Sequence, residues 1–240
     1  GDLAAEFNVW PEAEAAYREA ETKYRAAADA GGGARARHGI GLVRLADGDA
    51  SGALGSLETA VRGFELAGDS RAAALARLDL VAALAEAGDR TRARRELASA
   101  HDALARLQDP AGVAAATAVL AAMELEDGRP AAAEALYRKA LADLGARPAA
   151  SVSWALHAGL GDALAAQHSA EAATAYRTAI SLLERTAGTL PSRDRRADWL
   201  ADKWDVYASL ATLERSRGRD STAFEVCERL RARAMLDGLG

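Results

Sequence analysis

Gly128-Arg129-Pro130-Ala131-Ala132-Ala133-Glu134-Ala135-Leu136-Tyr137-Arg138-Lys139-Ala140 decides the fold. A glycine suited to closing one helix is followed, five residues on, by Ala133, Tyr137 and Ala140 at helical spacing. Outward in both directions the same Ala-x3-(aromatic, Leu or Cys)-x2-(Ala or Leu) triplet recurs. It stands at Ala13/Tyr17/Ala20, Ala53/Leu57/Ala60, Ala93/Leu97/Ala100, Ala172/Tyr176/Ala179 and Ala223/Cys227/Leu230. The leading alanines are 40, 40, 40, 39 and 51 residues apart, a period that means stacked repeats. Such stacks offer long surfaces to partners.

Half of the 240 residues are hydrophobic but only 5% are aromatic, so the core must be built mainly from Ala, Leu and Val. The formal charge of −5 argues against a general nucleic-acid binder. Arg90, Arg92, Arg94 and Arg95 lie beside Asp89 and Glu96, and Arg229, Arg231 and Arg233 lie beside Glu225, Glu228 and Asp237. Interleaving of this kind marks a solvated helix face. One cysteine rules out an internal disulfide framework and fits a reducing compartment, so the expected location is the cytoplasm. The longest uncharged runs, Pro110 to Met123 and Ala149 to Gly161, are too short for a membrane span. The chain opens on Gly1 rather than Met, which predicts that its natural start lies upstream.

Turn signals precede the triplets at Gly48-Asp49, Gly88-Asp89, Gly128-Arg129 and Gly218-Arg219. Before them lie apolar periodic segments, Ile40 to Leu45, Leu75 to Leu84, Val119 to Leu125 and Trp204 to Leu213, with a further one at Leu156 to Leu164. Each unit is therefore helix, tight turn, helix. With Ile40-Gly41, Leu80-Val81, Leu120-Ala121, Leu160-Gly161 and Leu210-Ala211 on first helices and the triplet on second helices, the chain resembles the tetratricopeptide repeat (TPR) family. Small residues at these places allow close helix approach. The resemblance implies an all-α fold, a right-handed α-solenoid of antiparallel helix hairpins with repeats of about 40 residues, against about 34 in the usual form. Helices of about 17 residues, about 25 Å long, would fill that period. The Trp of the family pattern is absent, with Arg37, Arg77, Thr117 and His157 near its place.

The expected organisation is one domain over residues 1–240. It comprises a truncated first repeat at 1–30, repeats at 31–70, 71–110, 111–150 and 151–190, and a last repeat with a junction helix at 191–240. Residues 11–30 are read as the second helix of the truncated unit. Loops are expected at Gly31-Gly32-Gly33, Gly68, Pro110 and Pro148, and a long surface loop from Thr186 to Arg196.

The last segment reads Ala223-Phe224-Glu225-Val226-Cys227-Glu228-Arg229-Leu230-Arg231-Ala232-Arg233-Ala234-Met235-Leu236-Asp237. It is similar to the junction in CHAT-domain proteins, where a TPR array runs into a caspase-like peptidase domain. Cys227, Leu230 and Met235 depart from that pattern. The resemblance implies a regulatory or sensor arm whose His-Cys peptidase domain follows this chain. Phe224, Met235, Leu236 and Leu239 are then expected to pack against that neighbour, or else to fold back on the preceding repeat. Cys227 occupies the core position of its triplet and reads as a buried thiol rather than a nucleophile.

No catalytic set and no metal cluster is legible. His38, His101, His157 and His168 are scattered, no phosphate-cradling GxxxxGK occurs, and no cofactor is expected. Glu124, Glu126 and Asp127 read as a solvated helix end. In the TPR family the first helices line a concave face, which implies a partner-binding groove on these positions. It would comprise His38, Leu42 and Leu45; Leu75, Leu78 and Ala82; Ala115, Ala118 and Ala122; Ala155, Ala158 and Asp162; and Asp205, Ala208 and Thr212. Such a lining suits an apolar helix or segment of a protein or peptide partner, the chain's own C-terminal domain among the candidates. It could equally be plain packing between neighbouring helices. Carboxylate-clamp recognition needs Asn and Lys on this face, yet Asn8 is the only asparagine and Lys23, Lys139 and Lys203 the only lysines. The alternative to a peptidase arm is a scaffold or sensor arm of a transcriptional or signalling regulator.

Overall fold

The computed structural model describes residues 10–145, 150–200 and 203–238, and every regular element among them is an α-helix. In chain order these are α1 (Trp10–Ala26), α2 (Ala30–Ala46), α3 (Ala50–Leu66), α4 (Ser70–Glu86), α5 (Arg90–Arg106) and α6 (Pro110–Glu126). They continue as α7 (Pro130–Leu144), α8 (Ala150–Ala166), α9 (Ala172–Thr189), α10 (Arg193–Leu200), α11 (Asp205–Ser216) and α12 (Asp220–Gly238). From α2 to α6 each helix has 17 residues, and three-residue connections complete a 20-residue step, half of the sequence period.

The connections repeat one device. Between α2 and α3, Gly48 N–H donates to the Leu45 carbonyl at 3.1 Å and Asp49 N–H to the Arg44 carbonyl at 2.8 Å. That pair is a Schellman closure, and it needs the positive φ of 83° found at Gly48. The Asp49 carboxylate then accepts from Gly52 N–H at 2.8 Å and caps the next helix. Asp29, Asp69, Asp89 and Asp109 cap α2, α4, α5 and α6 in the same way. One turn thus closes a helix and opens the next. Ala28, Gln108 and His168 take the left-handed position where glycine is absent, at φ 54°, 53° and 57°.

The four middle triplets are core. Ala53, Leu57, Ala60, Ala93, Leu97, Ala100, Ala133, Tyr137, Ala140, Ala172, Tyr176 and Ala179 are all buried. Large triplet residues lie where first helices offer glycine: a Cβ on Gly39 would fall within 2.4 Å of the Tyr17 ring, and one on Gly161 within 2.6 Å of the Tyr176 ring. Missing side-chain volume on one helix therefore receives the ring of another.

The helices group into two compact units, Gly1–Ala116 and Thr117–Gly240, with the division inside α6. In the first unit α2 packs on α1, α3 and α4, and α4 on α3 and α5. Ala34, Ala60, Val61, Phe64, Ala73 and Ala76 form one buried cluster there. In the second unit α8 packs on α7 and α9, α11 on α9 and α12, and α10 on α9 and α12.

Four sequence expectations are corrected. Gly31 to Gly33 is the first turn of α2, not a loop, because Asp29 caps it; a Cβ on Gly32 would meet the Tyr24 ring at 2.2 Å. The first described helix ends at Ala26, since Ala28 turns left-handed before α2 begins at Ala30. The stretch Thr186 to Arg196 is mostly helical: α9 runs through Thr189 and α10 begins at Arg193. Pro110 is the first residue of α6, the loop before it being 107–109. Pro148 lies outside the described residues.

Candidate functional site

In the first unit the first helices are α2 and α4. His38 Nε2 and Asp79 Oδ2 stand 2.7 Å apart and tie one helix to the other. The His38 ring meets Phe64 edge-on, with centroids 6.2 Å apart. Leu42 is 39% exposed and Ala82 is exposed, while Leu45 and Leu75 are half-buried beside them. The surface is a small apolar patch around one polar pair.

Leu78 does not belong to this surface: it is only 8% exposed and packs in the core. Asp79 takes the open position instead, rotated by one residue. Sequence reasoning missed Asp79, although its separation from His38, one repeat plus one residue, carries the signal. Arg44 fixes the base of α2. Its Nε donates to Glu14 of α1 at 2.8 Å and its Nη1 to the Gly52 carbonyl of α3 at 3.0 Å. Ala115 is half-buried on α6 in this unit.

In the second unit Ala118, Ala122, Ala155 and Ala158 are half-buried and Asp162 is exposed. The Tyr176 hydroxyl donates to Asp162 Oδ1 at 2.6 Å. Although Asp162 is exposed as a residue, desolvation at its carboxyl raises that group above its ordinary value, and burial beside Asp162 raises the Tyr176 phenol. Burial likewise pushes Tyr137 up to about 12 and holds the His157 imidazole below its ordinary value.

The structure brings Asp205, Ala208 and Thr212 together along a cleft of about 910 Å³. It lies between α8, α9 and α11. Asp205, Ala208, Ser209, Thr212 and Ser216 form one stripe of α11, and Tyr176 faces them from α9. Ala165 and Leu213 add apolar floor, and His168 and Arg217 close one end. Arg217 is held there by donating to the carbonyls of Ser169 and, at 3.4 Å, Ala170. Behind the cleft, the fully buried carboxylate of Glu214 accepts from Arg177 at 2.6 Å and from Arg219. On α10, the Trp199 indole donates to the Leu183 carbonyl at 3.3 Å, and Lys203 Nζ lies 4.5 Å from the Trp199 ring centroid and 5.7 Å from that of Trp154.

On α12 the structure overturns one expectation. Cys227 is exposed: α12 packs on α10 and α11, and neither covers this position. Phe224 is 65% exposed. The side chains of Met235 and Leu236, and the whole of Leu239, lie outside the described residues. Among the described residues no helix is long and apolar enough to cross a membrane.

No family model and no curated protein matches the sequence. Solved structures do match. BtubC (BKLC) of P. vanneervenii superposes with a TM-score of 0.67 at 15% identity, over 95% of this chain and 92% of that one. Two structures of a kinesin-light-chain-type protein of Podosopora anserina, built of nearly identical TPR-like repeats, give TM-scores of 0.52 and 0.50. Their identities are 18% and 19%, over 86% and 84% of this chain and 96% and 94% of those. At such identities the likeness is one of fold, and the fold is a TPR-like α-solenoid.

Proposed function

We propose that the chain is a protein-binding module whose partners dock on its first-helix faces. The observation that carries this reading is the division of labour between helices. Second helices α3, α5, α7 and α9 bury their triplets in the core, whereas first helices keep Leu42 and Ala82 open beside a half-buried Asp79 in one unit and Asp205, Ala208 and Thr212 along a cleft in the other. Apolar residues grouped about a few polar side chains suit a protein segment. A photo-crosslinking residue at position 42 or 208 should capture a partner in cells, while the same residue at exposed Lys139 on a second helix should not. Equal capture at all three positions, or capture at 139 alone, would sink the reading.

Within that role, the sequence of α12 supports a place beside a caspase-like peptidase domain of the CHAT type, with the module as its regulatory or sensor arm. The support is the Ala223 to Asp237 resemblance, joined by the exposure of Phe224. Sequencing the gene beyond Gly240 tests it: a downstream His/Cys caspase-like domain is expected, and its absence removes the assignment while leaving the module reading intact.

A further inference from the structure

The cleft of the second unit is polarised, and that bears on what it holds. Its α11 stripe begins with the Asp205 carboxylate and ends at the Arg217 guanidinium and the His168 imidazole. Twelve residues of helix separate Asp205 from Arg217, about 18 Å at 1.5 Å per residue. Between the ends stand hydroxyls, from Ser209, Thr212 and Ser216, and the Tyr176 ring, over an apolar floor of Ala165, Ala208 and Leu213. Outside the lining, Glu214 is paired with Arg177 and Arg219, and the Asp162 carboxylate accepts from the Tyr176 hydroxyl. The lining therefore presents a negative end, a hydrogen-bonding middle without a charged side chain and a positive end.

We infer that this cleft takes an extended peptide segment carrying a basic side chain at the Asp205 end and an acidic side chain, or a C-terminal carboxylate, at the Arg217 end. An extended chain advances about 3.3 Å per residue, so the two charges lie about five residues apart. Apolar contact with Ala208 and Leu213 and hydrogen bonds to the hydroxyl stripe hold the intervening residues, and the end charges fix direction and exclude the opposite arrangement. An apolar helix, the occupant expected from the sequence, suits this cleft poorly because its side chains would cover the hydroxyls without bonding them. The inference rests on the module reading and narrows it to one partner class in one unit.

The test is a selection of random peptides displayed on phage against the purified chain, followed by fluorescence anisotropy of the enriched peptides. Enrichment of basic and acidic residues about five positions apart is expected. Asp205→Lys, at an exposed site, should weaken those peptides about tenfold, and exchanging the peptide's basic residue for Glu should restore binding to that variant. Thr212→Trp, also at an exposed site, fills the middle of the cleft and should abolish binding; circular dichroism verifies that both variants fold. Enriched peptides without paired charges, peptides indifferent to Thr212→Trp, or no enrichment at all overturn the inference. If the selection fails while a partner is still captured at position 42, the module reading survives without this cleft; if both fail, both fall.

Discussion

At Gly159 a methyl group would stand 2.3 Å from Cζ of Tyr137, so the absence of a side chain on α8 is what lets that ring lie flat in the core. Gly159→Ala should lower stability by about 1–3 kcal/mol in urea unfolding, and a second change, Tyr137→Leu, should recover part of the loss. Leucine already fills the same triplet place at Leu57 and Leu97. Glu214 poses a different problem, because its carboxylate is fully buried while Arg177 and Arg219 are about half exposed. Removing both arginines strands a buried charge and should cost about 3–5 kcal/mol; Glu214→Met removes the buried charge itself and should cost less. Chemical unfolding of the two variants measures the difference. His157 gives a pH dependence. Its folded-state value lies below the ordinary 6.5, so the unfolded chain binds more protons as pH falls. That part of the stability is present above 6.5 and lost as pH falls toward the depressed folded value. His157→Gln should flatten the stability curve as pH falls below 6.5. The buried triplets were legible as single residues because their spacing recurs. Leu78 and Asp79 were not, since a rotation of one residue on α4 decides which is open.

The helices of the first unit are joined by a Schellman closure and an aspartate cap in three residues, and Asp29, Asp49, Asp69, Asp89 and Asp109 repeat every 20 residues. Asp69→Ala should cost about 1 kcal/mol and Asp69→Asn much less, because asparagine keeps the cap acceptor. Thermal unfolding of the pair checks this. The Gly-Asp turns at 48–49 and 88–89 could be read directly. The turns at Ala28, Gln108 and His168 were harder to read because no glycine marks them, although at 28 and 108 the aspartate that follows keeps the 20-residue step. Helix α10 was also hidden. A 51-residue step announces extra chain, but its helical state depends on packing against α9 and α12.

The molecule divides into two compact units, and within each of them neighbouring helices pack on one another. Changes confined to different units should therefore be additive: Gly41→Ala, which crowds Leu57, and Gly161→Ala, which crowds Tyr176, should combine within about 0.5 kcal/mol of their sum. Urea unfolding of both single variants and the double variant tests this, and a larger deviation would mean that the two sites are coupled. The sequence by itself determined the helix hairpins, the repeat length and the buried stripe. All three are periodic, and each period is written in side-chain size and turn chemistry within a few residues. Only the tertiary structure decided which first-helix residues stay open, drawing His38 to Asp79 and ranging Asp205, Thr212 and Arg217 along one cleft. Exposure depends on what a helix some 40 residues away in the chain brings against each position, and a local pattern carries no record of that neighbour.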